Sequence, residues 1–298
     1  MIPRITRSVI LSNLTAMPER GRRSGGVQAQ AVWRVPGAPS HGNINNTAYR
    51  QGFCRYVVAF PAQEAVGGAM ESITSRTNPL ITRIRKLTGD RKYRRREGVM
   101  VCEGPKMLAE ALRWGAGLET ILWQTGTHPP AGIPQGVRQV EVPGDLLRSV
   151  APTETPQQVL FLARLPARAL PEELTGSRYL VLDGLQDPGN LGTLWRTADA
   201  FGADGLLLLP GCADPWSPKT LRATMGACFR LPVWEGKLED LLPRLARAGL
   251  PLYATALGED TQDIRTLPLG RAAVVIGSEG RGCRRRCWRP VKRPCKFP

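Results

Sequence analysis

The sequence predicts an α/β protein of two domains, each built on a mostly parallel sheet with helices on its faces. Three observations carry this. Short apolar runs alternate with segments of helical period from Gly98 onward. The chain has 298 residues, a length suited to about two domains. Two glycine-bearing loops follow expected strands, where open α/β sheets place their ligands.

The elements follow in order. Residues 1–69 show no sustained period and are broken by Gly25-Gly26, Pro36, Pro39 and Gly67-Gly68. They read as poorly ordered, and their Arg-rich, acid-poor composition faintly resembles an organelle transit peptide. The favoured reading is upstream sequence ahead of a natural start at Met70. Val99–Cys102 is a strand, and Pro105 opens a helix carrying Met107, Leu108, Ala111 and Leu112. Leu118–Trp123, Val137–Val142 and Val159–Leu162 are strands, and Pro166–Gly176 is a linker. A second series follows: strands at Tyr179–Leu182, Gly205–Leu209, Leu252–Ala256 and Ala272–Ile276, with helices at Leu191–Phe201, Pro218–Cys228 and Lys237–Ala248. The resulting organisation is a leader over 1–69, a first domain over 70–165, a linker over 166–176, a second domain over 177–282 and a basic tail over 283–298.

The formal charge of +16 comes mainly from the ends. Residues 1–69 hold eight Arg against two Glu, and residues 283–298 hold seven Arg or Lys and no acid. One interior stretch stands out: Arg76, Arg83, Arg85, Lys86, Arg91, Lys92, Arg94, Arg95 and Arg96, with Asp90 the only acid among them. Such a cluster reads equally as a phosphate-binding surface and as a solvated helix face. No apolar run approaches the ~18 residues that span a bilayer. Seven scattered cysteines do not form a disulfide framework, and the default is a reducing compartment. Cys283, Cys287 and Cys295 lack a histidine or a second paired motif, so no metal is expected. With only His41 and His128 in the chain, both in Gly/Pro/Asn-rich surroundings, chemistry that needs a histidine base is close to excluded.

The first glycine loop is Asp187-Pro188-Gly189-Asn190-Leu191-Gly192, leading into a helix that carries Arg196. Taken alone it reads as ordinary turn chemistry beside a surface arginine. The second is Gly277-Ser278-Glu279-Gly280-Arg281-Gly282. It has neither the Lys-Ser/Thr of a P-loop nor the glycine spacing of a dinucleotide fold, which removes nucleotide hydrolysis and nicotinamide chemistry.

In order, the two loops resemble the motifs of the SpoU/TrmH family of SPOUT RNA ribose 2'-O-methyltransferases. The first loop is followed by Arg196, Ala198, Phe201 and Gly202; Ser217, Lys219, Arg222 and Gly226 are similar to a later segment. Ile73–Leu80, Arg94–Arg96, Glu103 and Gly104 resemble the start of the family's small, ribosomal-protein-like substrate-binding domain. The resemblance covers about residues 70–282. It implies a homodimeric, trefoil-knotted methyltransferase domain that binds S-adenosylmethionine and methylates structured RNA, ribosomal rather than transfer, with no metal and no membrane. It further implies catalytic roles for Arg196, Asn190 and Glu279, and cofactor contacts at Gly277, Ser278, Gly280 and Gly282. RNA contacts are expected at Arg76, Arg91, Lys92, Arg94, Arg95, Arg96, Lys219 and Arg222. A cytoplasmic location is expected, or an organellar one if the leader is a transit peptide.

The chain departs from the family after Gly282. An Ile-Pro strand and a Ser-Leu-Asn helix should follow, and Cys283-Arg284-Arg285-Arg286-Cys287-Trp288 stands there instead, like a frameshifted or truncated ending. The expected knot is then incomplete, and the alternative function is an RNA-binding remnant with impaired catalysis. Starting the chain at Met70 is expected to leave thermal stability unchanged. A drop of several degrees in the melt of the shortened protein would show that the leader packs on the fold.

Overall fold

The computed structural model describes residues 70–167, 169–256, 261–278, 282–283 and 295–296. The expectations for 1–69, for Glu279 and Gly280 and for most of the tail lie outside these residues. The described chain forms two five-stranded sheets.

The first sheet contains β1 (Glu71–Ser72), β2 (Val99–Glu103), β3 (Leu118–Gln124), β4 (Arg138–Val142) and β5 (Val159–Arg164), in the order β1-β4-β3-β5-β2. It departs from the expected parallel pattern, because β5 runs antiparallel to both β2 and β3. Strand β2 is buried on both sides, which explains its unbroken apolar run. Val99 and Val101 pack with α1 (Pro79–Gly89), while Met100 and Cys102 face α3 (Pro105–Arg113).

Helices α1 and α2 (Arg91–Glu97) occupy the basic stretch. Asn78 caps α1 by accepting from the Leu80 amide at 2.9 Å, with Pro79 in the first turn. Asp90 ends α1 and caps α2, accepting from the Lys92 and Tyr93 amides at 2.7 and 3.1 Å. The lone acid of the stretch is thus the hinge between two helices, and those two amide bonds hold its carboxyl below the usual range. A short helix α4 (Gly144–Arg148) covers the same face as α1.

The second sheet contains β6 (Arg178–Asp183), β7 (Gly205–Leu208), β8 (Val233–Glu235), β9 (Leu252–Ala254) and β11 (Ala272–Gly277), in the order β8-β7-β6-β11-β9, with every neighbour parallel. Helix α5 (Pro188–Ala200) and helix α6 (Pro218–Thr224) lie on one face. Helix α7 (Leu238–Arg247) covers the other with Leu238, Leu241 and Leu245, and Pro243 falls inside it without ending it. Residues 283 and 295 are both buried, and β12 (Cys295–Lys296) runs parallel to β10 (Gln262–Asp263).

The helix expected over 218–228 breaks at Thr224. Met225 and Gly226 take left-handed backbone, φ +51° and +91°, and a 3₁₀ turn resumes at Ala227–Phe229. Gly226 is required there, since a Cβ would stand 2.7 Å from the Glu110 Cγ on α3. The expected linker is irregular but pinned: Arg244 Nε donates to the Pro171 carbonyl at 2.8 Å, and Leu174 is buried under α7.

Helix α6 packs on β2 as well as on α5, so one core joins Met100 and Phe161 of the first sheet to Leu191, Trp195 and Trp216 of the second. Beside it, Arg94 is 4% exposed, and its guanidinium donates to the Leu87 and Thr88 carbonyls at the end of α1 and to Asp214 at 2.7 Å. Removing one partner of a buried pair strands the other charge. Asp214→Ala is therefore expected to lower stability by about 3–5 kcal/mol, and Arg94→Met/Asp214→Leu together by much less, in urea unfolding.

Candidate active site at the carboxyl edge of the parallel sheet

In the second sheet the chain moves outward from β6 through β7 to β8 on one side and places β9 and β11 on the other. The switch point of an open α/β sheet is thus the β6–β11 pair, and ligands bind outside the carboxyl ends of strands at such a point. Ile276 is level with Leu182 and Gly277 with Asp183. The two loops singled out in the sequence leave the sheet side by side.

Asp187 caps α5, its Oδ1 accepting from the Asn190 amide at 2.7 Å, with Pro188 in the first turn. That bond is the main reason its carboxyl lies below the usual range, and Lys219 Nζ at 3.6 Å from Oδ2 adds to it. Ser217 caps α6 in the same way, accepting from the Thr220 amide at 3.2 Å. Gly192 lies where α5 and α6 touch: a Cβ there would stand 2.5 Å from both Ala223 Cβ and the Thr220 carbonyl oxygen. Close approach of the two helices therefore explains the last glycine of the first motif. Arg196 is exposed and makes no ion pair among the described residues.

In the second loop Gly277 abuts the backbone of Gly282 and Cys283, where a Cβ would stand 2.1–2.2 Å from three atoms. The Gly282 amide donates to the Ser278 carbonyl at 2.8 Å and closes the turn. Cys283 is held beneath it by Thr255 Oγ1 and the Val275 carbonyl, each 3.6 Å from its Sγ. Burial pushes the Cys283 thiol up, and pushes Cys228 up to about 12, so neither offers a thiolate near neutral pH.

The residues expected to contact RNA part company. Arg94 is a correction: buried and paired with Asp214, it supports the fold and cannot reach a phosphate. Arg91 and Arg95 lie at the surface but are engaged by Glu235 at the end of β8, and Arg91 also stands 3.7 Å from Asp214. Arg76 pairs with Asp145 at 3.1 Å, and Arg96 stacks 4.7 Å from the Tyr93 ring centre. Lys92 and Arg222 are exposed with no ion pair among the described residues. Sequence reasoning missed Asp214 and Glu235, which hold the basic stretch against the second sheet. A lone acid in a loop and another at a strand end carry no signal until the fold brings them to the arginines.

Comparison with known proteins bears on this edge directly. Residues 177–298 match the model of the SpoU rRNA Methylase family, and residues 78–161 match the MRM3-like substrate binding domain. The 23S rRNA (guanosine(2553)-2'-O)-methyltransferase RlmP of Bacillus subtilis is 33% identical over 214 residues, covering 72% of this chain and 84% of its own. The chain belongs to the SpoU rRNA methylase family. An uncharacterised tRNA/rRNA methyltransferase of Synechocystis is 37% identical over 71% of this chain and 79% of its own. The AdoMet-bound rRNA methyltransferase of Sinorhizobium meliloti superposes with a TM-score of 0.68 at 30% identity, covering 78% of this chain and 90% of that one. This SpoU chain is thus an enzyme of the RNA methyltransferase type with the SPOUT α/β fold. The family match runs through the segment after Gly282.

Gly192→Ala is expected to cost about 1–3 kcal/mol, because the added methyl meets a backbone carbonyl that cannot swing aside. A thermal melt lowered by several degrees checks it; an unchanged melt would mean that α5 and α6 can separate freely.

Proposed function

We propose that the protein transfers a methyl group from S-adenosylmethionine to a ribose 2'-hydroxyl of ribosomal RNA. The observation that carries this is the pairing of the two family loops across the β6–β11 switch point, with Arg196 exposed on the helix that leaves the first loop. The names of the relatives point the same way.

The cofactor supplies an electrophilic methyl on a sulfonium centre. The chain fits it at the second loop, where Gly277 lies against the backbone of Gly282 and Cys283 and the Gly282 amide closes the turn on the Ser278 carbonyl at the carboxyl edge. Gly277, Ser278 and Gly282 would hold it there, and we assign Gly280 and Glu279, outside the described residues, to the same loop. A ribose hydroxyl is a poor nucleophile, so the protein's remaining task is to hold it in line with the methyl while its proton passes to water. An arginine stays charged at any working pH. Arg196 is therefore better suited to clamping the phosphate beside the target ribose than to accepting a proton, and Asn190 orients the nucleotide.

Arg196 lies six positions after Asn190. On one helix that is about 9 Å along the axis and about 120° around it. One nucleotide is reached by both more readily if Arg196 comes from a second copy of the chain, which favours a homodimer. A suitable face exists: Leu180, Leu194, Ala198, Val274 and Ile276 line an apolar depression, and Phe201 beside it is 75% exposed. We take residues 70–165 as the RNA-binding half, with Arg76, Arg96 and Lys92 as outer contacts, and Lys219 and Arg222 beside the first loop.

Arg196→Ala is expected to reduce 2'-O-methyl transfer by on the order of 10²-fold through loss of positioning, while leaving cofactor affinity near that of the unaltered protein. Methylation of ribosomal RNA with labelled S-adenosylmethionine, beside calorimetry with the cofactor, measures both. Retained activity in the variant would remove Arg196 from the site.

A further inference from the structure

A groove leads away from the first loop between α3 and α6. Its inner part, about 380 Å³, is lined by Pro188 and Ser217 of the carboxyl edge, by Lys219 and Arg222 of α6, and by Glu103 and Thr153 of the first sheet's side. Its outer part, about 530 Å³, shares Glu103, Thr153 and Arg222 and adds Lys106 and Met225. The shared residues make the two parts continuous. We propose that this groove holds an unpaired stretch of the substrate RNA flanking the methylated nucleotide, an inference that rests on the methyltransferase reading above.

Four features support a single strand. Lys106 and Arg222 are exposed and make no ion pair among the described residues, and Lys219 has only the exposed Asp187 at 3.6 Å. Exposed pairs of that kind are weak, so all three ammonium or guanidinium groups are available to phosphates. Met225 is the one non-glycine with positive φ among the described residues, and it is 53% exposed. A strained backbone that turns an apolar side chain outward adds nothing to the core. Its thioether offers a soft, polarisable face to the flat side of a base.

The third feature is Glu103. Its Oε1 accepts from Thr153 Oγ1 at 2.7 Å and from the Gln157 amide at 2.9 Å, which fixes the loop that forms one wall. Its Oε2 is buried with no partner among the described residues. A buried carboxylate oxygen requires a donor, and every unpaired base carries an N–H on its Watson–Crick edge. In a duplex those edges are consumed by pairing; in single strands they are open to side chains, while cations follow the backbone. The fourth feature is size: cavities of 380 and 530 Å³ are on the scale of small-ligand sites and admit one or two nucleotides, not a helix.

Fluorescence anisotropy of the full chain with a labelled ten-nucleotide single-stranded RNA, and with the same strand in a blunt duplex, tests this. The single strand is expected to bind more tightly. Lys106→Gln/Arg222→Gln should weaken it at least fivefold and flatten its salt dependence. Glu103→Gln should also weaken it, because the amide can keep the loop contacts through its oxygen but presents an N–H where an acceptor is needed. Met225→Ala removes the stacking face, and Met225→Gly does so while relieving the backbone, so a loss common to both is not a folding defect. Unchanged single-strand affinity in these variants, or a preference for the duplex, would overturn the groove. Methyl transfer assayed in parallel separates the two ideas. Activity with unaltered single-strand binding sinks the groove alone. Loss of RNA affinity in the variants of a chain that transfers no methyl supports the groove and sinks the methyltransferase reading.

Discussion

The position of α6 is the constraint on which the rest of the molecule depends. This seven-residue helix packs on α5 through Gly192 and on β2 through the core that holds Leu221 and Trp216. It therefore belongs to both sheets at once. Its N-terminal end touches the first loop through Lys219 and Asp187, and its C-terminal break turns Met225 toward α3. Because the same helix fills the core between the sheets and borders the carboxyl edge, the first sheet is fixed against the site.

Electrostatics reinforce that arrangement from the side of the basic stretch. Asp214, in the loop after β7, receives Arg94 at 2.7 Å, and its carbonyl accepts Thr220 Oγ1 of α6 at 2.9 Å. Arg94 also serves the last carbonyls of α1, where a cation is favoured by the helix dipole. One buried guanidinium thus ends a helix, neutralises an acid and ties the first sheet's helices to α6. On the far side Arg230 joins Glu110 of α3 to Asp199 of α5. A stretch dense in arginine is in large part a set of internal fasteners, with fewer free cations than its composition suggests.

That division explains what could be read from the sequence. The strands of the second sheet were legible because parallel strands covered on both faces are continuous apolar runs, as in Tyr179–Leu182 and Gly205–Leu209. The two loops were legible as glycine-bearing motifs; Gly277 is set by Gly282 and Cys283 a few residues on, whereas the reason for Gly192, its contact with Thr220 and Ala223 of α6, appears only in the fold. The antiparallel course of β5 was not legible, since a run such as Val159–Leu162 reads the same in either direction. Gly226, at the break after α6, lies against Glu110, more than a hundred residues upstream, a contact that could not be seen in the local period. The fate of Arg94 was hidden for the same reason: its partner Asp214 is 120 residues away.

The same distinction bears on the residues proposed for catalysis. Asn190 and Gly192 stand at the start of α5 because Asp187 and Pro188 fix where the helix begins, so their placement follows from adjacent residues. Arg196 follows from that start by helical geometry alone, and the geometry carries it away from Asn190 instead of toward it. Under the proposed function, a motif whose members diverge on the helix in this way is completed by a second copy of the chain. Its spacing makes sense if the loop addresses one nucleotide while the arginine addresses another site across an interface, and the exposed Phe201 stands at the C-terminal end of that same helix. The apolar strip and the exposed arginine would then be two consequences of a single requirement, that the helix serve its own site at one end and a neighbouring copy at the other.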